Sequence, residues 1–232
     1  MRKTWLTTPG RVPYGPSYDA MHDLASRRAA GEIPDVLALL EHPPVYTAGR
    51  RTDPAHILLA EAEIERSGAE LHAVDRGGSV TFHGPGQLVG YPVIHLGRTP
   101  DVIGYLRLLE DTVIRACADL GVEVGRGDDP TGVWAGDRKV CAIGVRVSRG
   151  VTLHGFALNC TTDLSWYGAI VPCGLDDRGV TSLTELAGRE VAVEEALPRV
   201  VRRFEEVFEA TLIPAPDEVT MALTGRTQAA AL

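Results

Sequence analysis

The chain has 232 residues, of which 44% are hydrophobic and 23% are charged. That balance is typical of a soluble globular protein, and the length fits one domain with a sizeable core. The formal net charge is -8 at pH 7. A nucleic-acid partner is therefore not expected, because neutralising phosphates requires a basic surface.

No targeting signal is visible at the start of the sequence, since residues 1–8 have basic side chains but no apolar run behind them. No stretch approaches the roughly 20 apolar residues that span a bilayer. We therefore expect a cytoplasmic protein that does not bind membranes. The sequence predicts a single domain over residues 1–215, followed by a C-terminal tail over residues 216–232.

Hydrophobic periodicity predicts the secondary structure. In chain order we expect a helix at 17–30, strands at 35–40 and 45–48, a short helix opening at Asp53-Pro54, strands at 70–75, 79–83 and 87–95, a helix at 101–120, strands at 139–147 and 151–159, and a helix at 194–210. Clustered strands flanked by separate helices predict an α/β or α+β domain on a mixed or antiparallel sheet. A regular βαβ alternation is absent, which argues against a parallel doubly wound fold.

The chain contains four cysteines, at positions 117, 141, 160 and 173. They are far apart and form no Cys-x-x-Cys pair, so neither a disulfide scaffold nor a zinc site is expected. Cys117 lies in a helix stripe, and Cys141 and Cys160 lie in strand-like runs, which indicates core positions. Cys173 lies between a proline and a glycine, where an exposed thiol activated by a nearby base or cation is more credible.

Residues 76–87 contain four glycines and a proline, and such a loop can either form tight turns or bring the backbone close to a ligand. The pattern is neither a dinucleotide fingerprint nor a Walker A loop. His83 within it could bind substrate or shuttle a proton, or it could be a surface turn histidine.

Residues 132–144 predict a hairpin with Gly136-Asp137 in the turn and Lys139 at the start of an apolar strand. A lysine there is usually solvated, whereas an inward-facing one could serve as a base. In the strand at 151–159, His154 is followed by a glycine that permits close backbone approach. A lone strand histidine is more often a structural group than a ligand.

Together these segments resemble the lipoyl(octanoyl) transferases. The motif Arg-Gly-Gly-x-x-Thr-Phe-His-Gly-Pro-Gly-Gln-Leu-Val-x-Tyr-Pro stands at 76–92, and Gly-Val-Trp followed by Lys-x-x-Ala-Ile-Gly stands at 132–144. His-Gly-Phe-Ala-Leu-Asn stands at 154–159, and Pro-Cys-Gly at 172–174 is followed by Val-Thr-Ser-Leu at 180–183. No motif position departs from the pattern.

The resemblance implies the fold of lipoate ligases, biotin ligases and class II tRNA synthetase catalytic cores, which is a mixed sheet flanked by helices. It implies transfer of octanoyl from octanoyl-acyl carrier protein to a specific lysine of lipoyl domains, the first step of endogenous protein lipoylation. The implied acceptors are the lipoyl domains of 2-oxoacid dehydrogenase E2 subunits and the glycine cleavage H protein. Neither a cofactor nor a metal is implied.

By position, the resemblance makes Cys173 the residue that carries the acyl thioester and Lys139 its acid/base partner. Lys139 could act as a neutral base or as an ammonium that stabilises the thiolate. The implied substrate-binding residues are Arg76, Gly77, Gly78, Ser79, Val80, Thr81, Phe82, His83, Ala142, Ile143, Gly144, His154, Gly155, Phe156 and Ala157. His83 and His154 would orient Lys139 or the substrate.

Three other functions remain open from the sequence. An ATP-dependent lipoate or octanoate ligase on the same fold would form an acyl-adenylate and would not need Pro-Cys-Gly. A thioesterase would release free acid, and a non-catalytic protein would bind the acyl carrier without turnover. Arg50-Arg51, with Arg2 and Lys3, could dock an acidic carrier protein or could simply be solvated.

Overall fold

The computed structural model describes residues 2–127, 131–171 and 179–226. The helices in that part of the chain are α1 (Tyr14–Ala29), α2 (Glu61–Arg66), α3 (Val102–Ala118), α4 (Leu183–Ala187), α5 (Val193–Phe208) and α6 (Asp217–Leu223). The strands are β1 (Arg2–Arg11), β2 (Asp35–Glu41), β3 (Val45–Ala48), β4 (Glu70–Ala73), β5 (Val80–His83), β6 (Gln87–Val93), β7 (Gly125–Arg126), β8 (Gly132–Ala135), β9 (Arg138–Ser148), β10 (Val151–Asn159) and β11 (Ala210–Pro214). Short 3-10 turns lie at Pro54–His56 and Leu164–Ala169.

The described strands form two sheets. The larger has eight strands in the order β11-β1-β2-β6-β10-β9-β8-β7, and the smaller has the order β4-β3-β5. Strand β1 runs parallel to both of its neighbours, whereas β2, β6, β10, β9 and β8 pair antiparallel with one another. The predicted mixed sheet flanked by helices is therefore confirmed.

Helices cover both faces of the large sheet. On one face α3 and α5 pack with residues such as Leu109 and Phe204, and on the other α1 and α6 pack with residues such as Leu24 and Val219. Strand β2 reads as a continuous apolar run because its side chains alternate between these two cores. Strands β6, β9 and β10 lie in the middle of this arrangement and carry most of the sequence motifs.

The small sheet has its own apolar face. The Phe82 ring stacks on Trp166 with centroids 5.3 Å apart, and Tyr46 packs beside it. Because side chains alternate along a strand, Thr81 and His83 of β5 point to the opposite side from Phe82. They face the large sheet across the cavity described below.

The ends of the chain differ from the predictions. Strand β1 was not predicted, because its Thr-rich sequence lacks a clear apolar alternation, yet it is paired on both sides. Helix α6 lies in the region predicted as a tail, and its Val219 and Leu223 are buried against the core beneath α1. Residues 227–232 of that tail lie outside the described residues. Among the described helices, none combines the length and apolar character needed to cross a membrane.

Candidate active site

A cavity of about 540 Å³ lies where the two sheets face each other, next to helices α1 and α3. All the substrate-binding residues predicted from the sequence line this cavity except Phe82, which belongs to the apolar face of the small sheet. The glycine-rich loop, strand β9 and strand β10 therefore converge on one space. Their convergence agrees with the predicted acyl site, whose individual roles stay predictions.

Small residues on paired strands leave the room for a ligand. Ala142 of β9 pairs with Ala157 of β10, and Gly144 pairs with Gly155. The stretch of β9 from Ala142 to Val145 lines the cavity and is about 10 Å long at the rise of a strand. That length is comparable to an extended eight-carbon chain.

Arg76 organises the glycine-rich loop from within. Its side chain is buried, and its guanidinium donates hydrogen bonds to the carbonyls of Thr47 (2.6 Å) and Ser79 (2.8 Å). A Cβ on Gly49 would lie 2.5 Å from the Gly78 carbonyl oxygen, so the two loops approach too closely for any side chain there. Gly77 and Gly78 therefore belong to a tight turn and also line the cavity.

Lys139 is inward-facing and buried, which decides between the two interpretations of this residue. Its Nζ lies 4.6 Å from the centroid of the Trp134 ring, a cation–π distance. A Cβ on Gly132 would lie 3.3 Å from Lys139 Cε, so the lysine stem fills the space that this glycine leaves. Lys139 is not among the described residues that line the cavity, but Thr131, the chain neighbour of Gly132, and Ala142, its partner across the strands, both are.

The main chain of Lys139 is fixed on both sides by the segment 179–181. The Lys139 N–H donates to the Gly179 carbonyl (3.0 Å), and the Thr181 N–H donates to the Lys139 carbonyl (2.9 Å). This is a parallel bridge between Lys139 and Val180. The motif that follows Pro-Cys-Gly in the sequence is thus hydrogen-bonded to the lysine strand.

Cys173 lies outside the described residues, and the other three cysteines are buried. Burial raises the pKa of the Cys117 thiol to about 12 and raises the pKa values of Cys141 and Cys160 as well. Such thiols stay protonated at neutral pH and are poor nucleophiles. The prediction that these three are core residues is confirmed by their burial.

His83 is a buried group, not a surface turn residue. Gln87 donates through its amide nitrogen to the Phe82 carbonyl (3.1 Å), so its Oε1 accepts a hydrogen bond from His83 Nδ1 at 2.8 Å. The His83 Nε2 can then accept from the Thr47 hydroxyl (3.3 Å), which itself accepts from Arg76 (2.9 Å). Burial lowers the His83 pKa to about 3, which agrees with this neutral tautomer.

His154 is held at the cavity by an unusual backbone. Its φ is 61°, a left-handed conformation that is rare outside glycine and marks local strain. Its Nε2 lies 2.7 Å from Asp75 Oδ1, and Arg146 pairs with the other carboxylate oxygen. Burial and the nearby Arg76 lower the His154 pKa to about 3, so Nε2–H donates to Asp75 and the ring is neutral.

Three side chains of types that bind metal ions meet at this cluster. The ligand atoms of His22, Asp75 and His154 lie within 4.8 Å of one another. Arg146, however, already neutralises the Asp75 carboxylate, and His154 uses its Nε2 to bind the same carboxylate. The contacts therefore describe an ion-paired network that orients His154.

The sequence of this chain is similar to proteins of one known family. The chain matches the family described as "Lipoyl protein ligase A/B catalytic domain" over residues 13–205. An octanoyltransferase from Acidothermus cellulolyticus is 50% identical over 211 residues, which cover 89% of this chain and 90% of that protein. The chain belongs to the octanoyltransferase family. It is therefore an acyltransferase, as the motifs predicted.

Two solved structures of ligases have folds similar to that of this chain. A bipartite lipoate protein ligase from Thermoplasma acidophilum has a TM-score of 0.73 at 18% identity, covering 97% of this chain and 91% of that one. A biotin protein ligase from Aquifex aeolicus, in complex with biotin and ATP, has a TM-score of 0.53 at 12% identity, covering 90% and 71%. At these identities the likeness concerns the fold alone, and it confirms the predicted fold class.

Several cavity residues of this octanoyltransferase-family chain lie outside the predicted set. They are Tyr14 of α1, Arg51 and His56 after β3, Val89 and Tyr91 of β6, Val102 and Leu106 of α3, Thr131 before β8, and Val145 of β9. Val89 and Tyr91 lie within the motif at 76–92, which is a signal that could have found them. The others meet the cavity only through long-range packing.

Proposed function

We propose that this enzyme transfers an octanoyl group from octanoyl-acyl carrier protein to a specific lysine of lipoyl domains, through a thioester on Cys173 with Lys139 as the acid/base partner. The proposed acceptors are lipoyl domains of 2-oxoacid dehydrogenase E2 subunits and the glycine cleavage H protein. The observation that carries the proposal is a buried Lys139 whose stem packs against Gly132, the chain neighbour of the cavity-lining residue Thr131. Its strand is also hydrogen-bonded to the segment that follows Cys173 in the chain.

The residues that flank the Cys173 segment support this pairing. Val171, before it, donates its N–H to the carbonyl of the cavity residue His56 (2.8 Å), and Gly179, after it, accepts from Lys139. Cys117, Cys141 and Cys160 are buried with raised thiol pKa values. Cys173 is therefore the candidate nucleophile.

In the first step, the Cys173 thiolate attacks the carbonyl of the donor thioester and forms a tetrahedral oxyanion. Backbone N–H groups are the expected donors to that oxyanion. The bond between the carbonyl carbon and the pantetheine sulfur then breaks, and the leaving thiolate takes a proton from the Lys139 ammonium. The Lys139 ammonium, whose Nζ lies 4.6 Å from the centroid of the Trp134 ring, stabilises the attacking thiolate in this step.

In the second step, the neutral amine of the acceptor lysine attacks the acyl-enzyme. An amide bond forms, the bond to Cys173 Sγ breaks, and the amine loses one proton. Lys139 is neutral after the first step and is suited to accept that proton. The two roles left open by the sequence thus follow each other in one cycle.

The cavity accounts for acyl binding. Each CH₂ group buried from water contributes about 0.8 kcal/mol, so a slot bounded by Val89, Ala142 and Ala157, which pair side by side on one face of the sheet, would supply most of the affinity for the acyl group. A slot of fixed length would also discriminate between chain lengths.

We also propose that Arg50 and Arg51 dock the acidic carrier protein. Both are exposed, Arg51 lines the cavity, and neither forms an ion pair among the described residues. The main-chain N–H of Arg50 donates to the Arg76 carbonyl (3.0 Å), and that of Arg51 donates to the Gly78 carbonyl (3.1 Å). These bonds fix the backbone of both arginines to the glycine-rich loop. Arg2, by contrast, pairs with the buried Asp35.

Charge reversal tests the docking surface. The double variant Arg50→Glu/Arg51→Glu should raise the KM for octanoyl-acyl carrier protein about tenfold and weaken its salt dependence. Arg98→Glu is the matched control, because Arg98 is exposed but does not line the cavity. An unchanged KM in the double variant would refute the docking proposal.

The function itself is tested by intact-protein mass spectrometry after incubation with octanoyl-acyl carrier protein. We expect an octanoyl mass gain on the wild type, none on Cys173→Ala, and loss of the adduct when an apo lipoyl domain is added. Transfer without an adduct would overturn the covalent mechanism. ATP–pyrophosphate exchange with free octanoate would then identify the ligase, and release of free acid without acceptor would identify a thioesterase.

A further inference from the structure

We propose that Asn159 is a positioning residue that fixes the backbone around Lys139; the inference rests on the proposed function of that lysine. Asn159 ends strand β10, and its side chain is buried. Its Nδ2 donates to the Thr181 carbonyl at 3.0 Å. Thr181 is the residue whose N–H donates to the Lys139 carbonyl.

The orientation of the Asn159 amide is set by its neighbours. Its Oδ1 accepts from Gln87 Nε2 (2.9 Å) and from the Tyr167 hydroxyl (3.4 Å), so its nitrogen must face Thr181. Gln87 is fully buried and is held in turn by His83 and by the Phe82 carbonyl. Asn159 is thus the last side chain in a buried series of hydrogen bonds in which each group donates to the next. His83 donates to Gln87, Gln87 donates to Asn159, and Asn159 donates to the Thr181 carbonyl.

This series of hydrogen bonds links the acyl site to the lysine. It starts at Arg76 in the glycine-rich loop and passes through Thr47, His83, Gln87 and Asn159 to Thr181. Members of three separate sequence motifs therefore support one element, the segment 179–181 that brackets Lys139. Such buried networks define a single geometry when every group is satisfied.

The contact is specific for an amide at position 159. An aspartate has the same shape but no N–H to give to the Thr181 carbonyl, and a serine is too short to bridge both sides. Either change leaves the buried Thr181 carbonyl without its side-chain donor and loosens the segment that holds Lys139. The ammonium would then hold the Cys173 thiolate less well.

The experiment compares Asn159→Ser and Asn159→Asp with the control Thr112→Val. Thr112 is buried in α3 and donates to the Leu108 carbonyl (2.9 Å), so the control removes a buried hydrogen bond away from the cavity. All proteins are assayed at a temperature where thermal unfolding shows them fully folded. The readouts are alkylation of Cys173 against pH, kcat and KM with octanoyl-acyl carrier protein, and amide exchange at Thr181.

Both Asn159 variants should move the alkylation profile of Cys173 to higher pH and lower kcat about tenfold, with KM changed less than about twofold. Exchange of the Thr181 amide should become faster, and Thr112→Val should match the wild type in all readouts. A shift in Asn159→Asp alone would be an effect of the new carboxylate and would overturn the proposal. An unchanged profile in a folded Asn159→Ser protein would also overturn it.

Failure of the proposed function gives a different result. If the wild type forms no octanoyl adduct, the kinetic readout is lost, but Cys173 alkylation and Thr181 exchange still report on the hydrogen bond from Asn159 to the Thr181 carbonyl. If Asn159→Ser does not fold, the isosteric Asn159→Asp is judged by amide exchange, and unchanged exchange at Thr181 then overturns the proposal.

Discussion

Buried neutral histidines should make the folded state sensitive to mild acid. His42 donates from Nδ1 to the Val12 carbonyl and accepts at Nε2 from the Tyr91 hydroxyl, both at 2.8 Å. Burial lowers the pKa of His42 to about 4, and those of His83 and His154 to about 3. Each ring is thus held neutral in the folded state.

The direction in which stability changes with pH follows from how many protons the folded and unfolded states bind. An unfolded histidine titrates near pH 6.5, so below that pH the unfolded chain binds protons that the folded chain does not. Stability is therefore full above about pH 6.5 and falls as the pH is lowered towards the folded-state values. At pH 5 the loss is about 2 kcal/mol for His42, and His83 and His154 act in the same direction. Typical domains have only about 5–15 kcal/mol of stability in total.

Urea unfolding at pH 7.5 and pH 5.0, followed by tryptophan fluorescence, measures this difference. His42→Gln cannot titrate at this position and should lose about 2 kcal/mol of the pH effect. The control Thr112→Val removes a buried hydrogen bond without a titratable group and should keep the wild-type pH effect. If the free energy of unfolding differs by less than about 1 kcal/mol between the two pH values, the buried-neutral assignment is refuted.

Three further predictions concern the cavity, the lysine and the core. Ala157→Leu puts a large side chain into the acyl slot, so the preferred donor in a competition assay should become shorter than octanoyl; an unchanged preference would contradict the placement of the slot. Trp134→Leu removes the cation–π contact with Lys139 and should slow formation of the acyl-enzyme about tenfold in rapid-quench mass spectrometry, whereas Trp134→Phe should retain most of the rate. Phe204→Ala empties a fully buried site on α5 and should lower the free energy of unfolding by about 3–5 kcal/mol in urea; a loss below about 1 kcal/mol would mean that the core closes over the gap.

Local chemistry determined much of the fold in advance. Gly136 and Asp137 form the two-residue turn between β8 and β9, and strand β10 has the predicted bounds of residues 151–159. These features depend on neighbours in the sequence, such as glycine in a turn and alternation in a strand. The motifs likewise indicated the residues that line the cavity, with Phe82 as the one that faces away.

Long-range packing decided the rest. The sequence left Lys139 either solvated or inward, and only the pairing of β9 with β8 and with the segment 179–181 buries it. Asn159 read as an ordinary strand residue, yet its amide joins positions 72 and 22 residues away along the chain. Burial and hydrogen-bond partners depend on which distant segments meet, because each strand presents two faces and only the packed sheet determines what covers each of them.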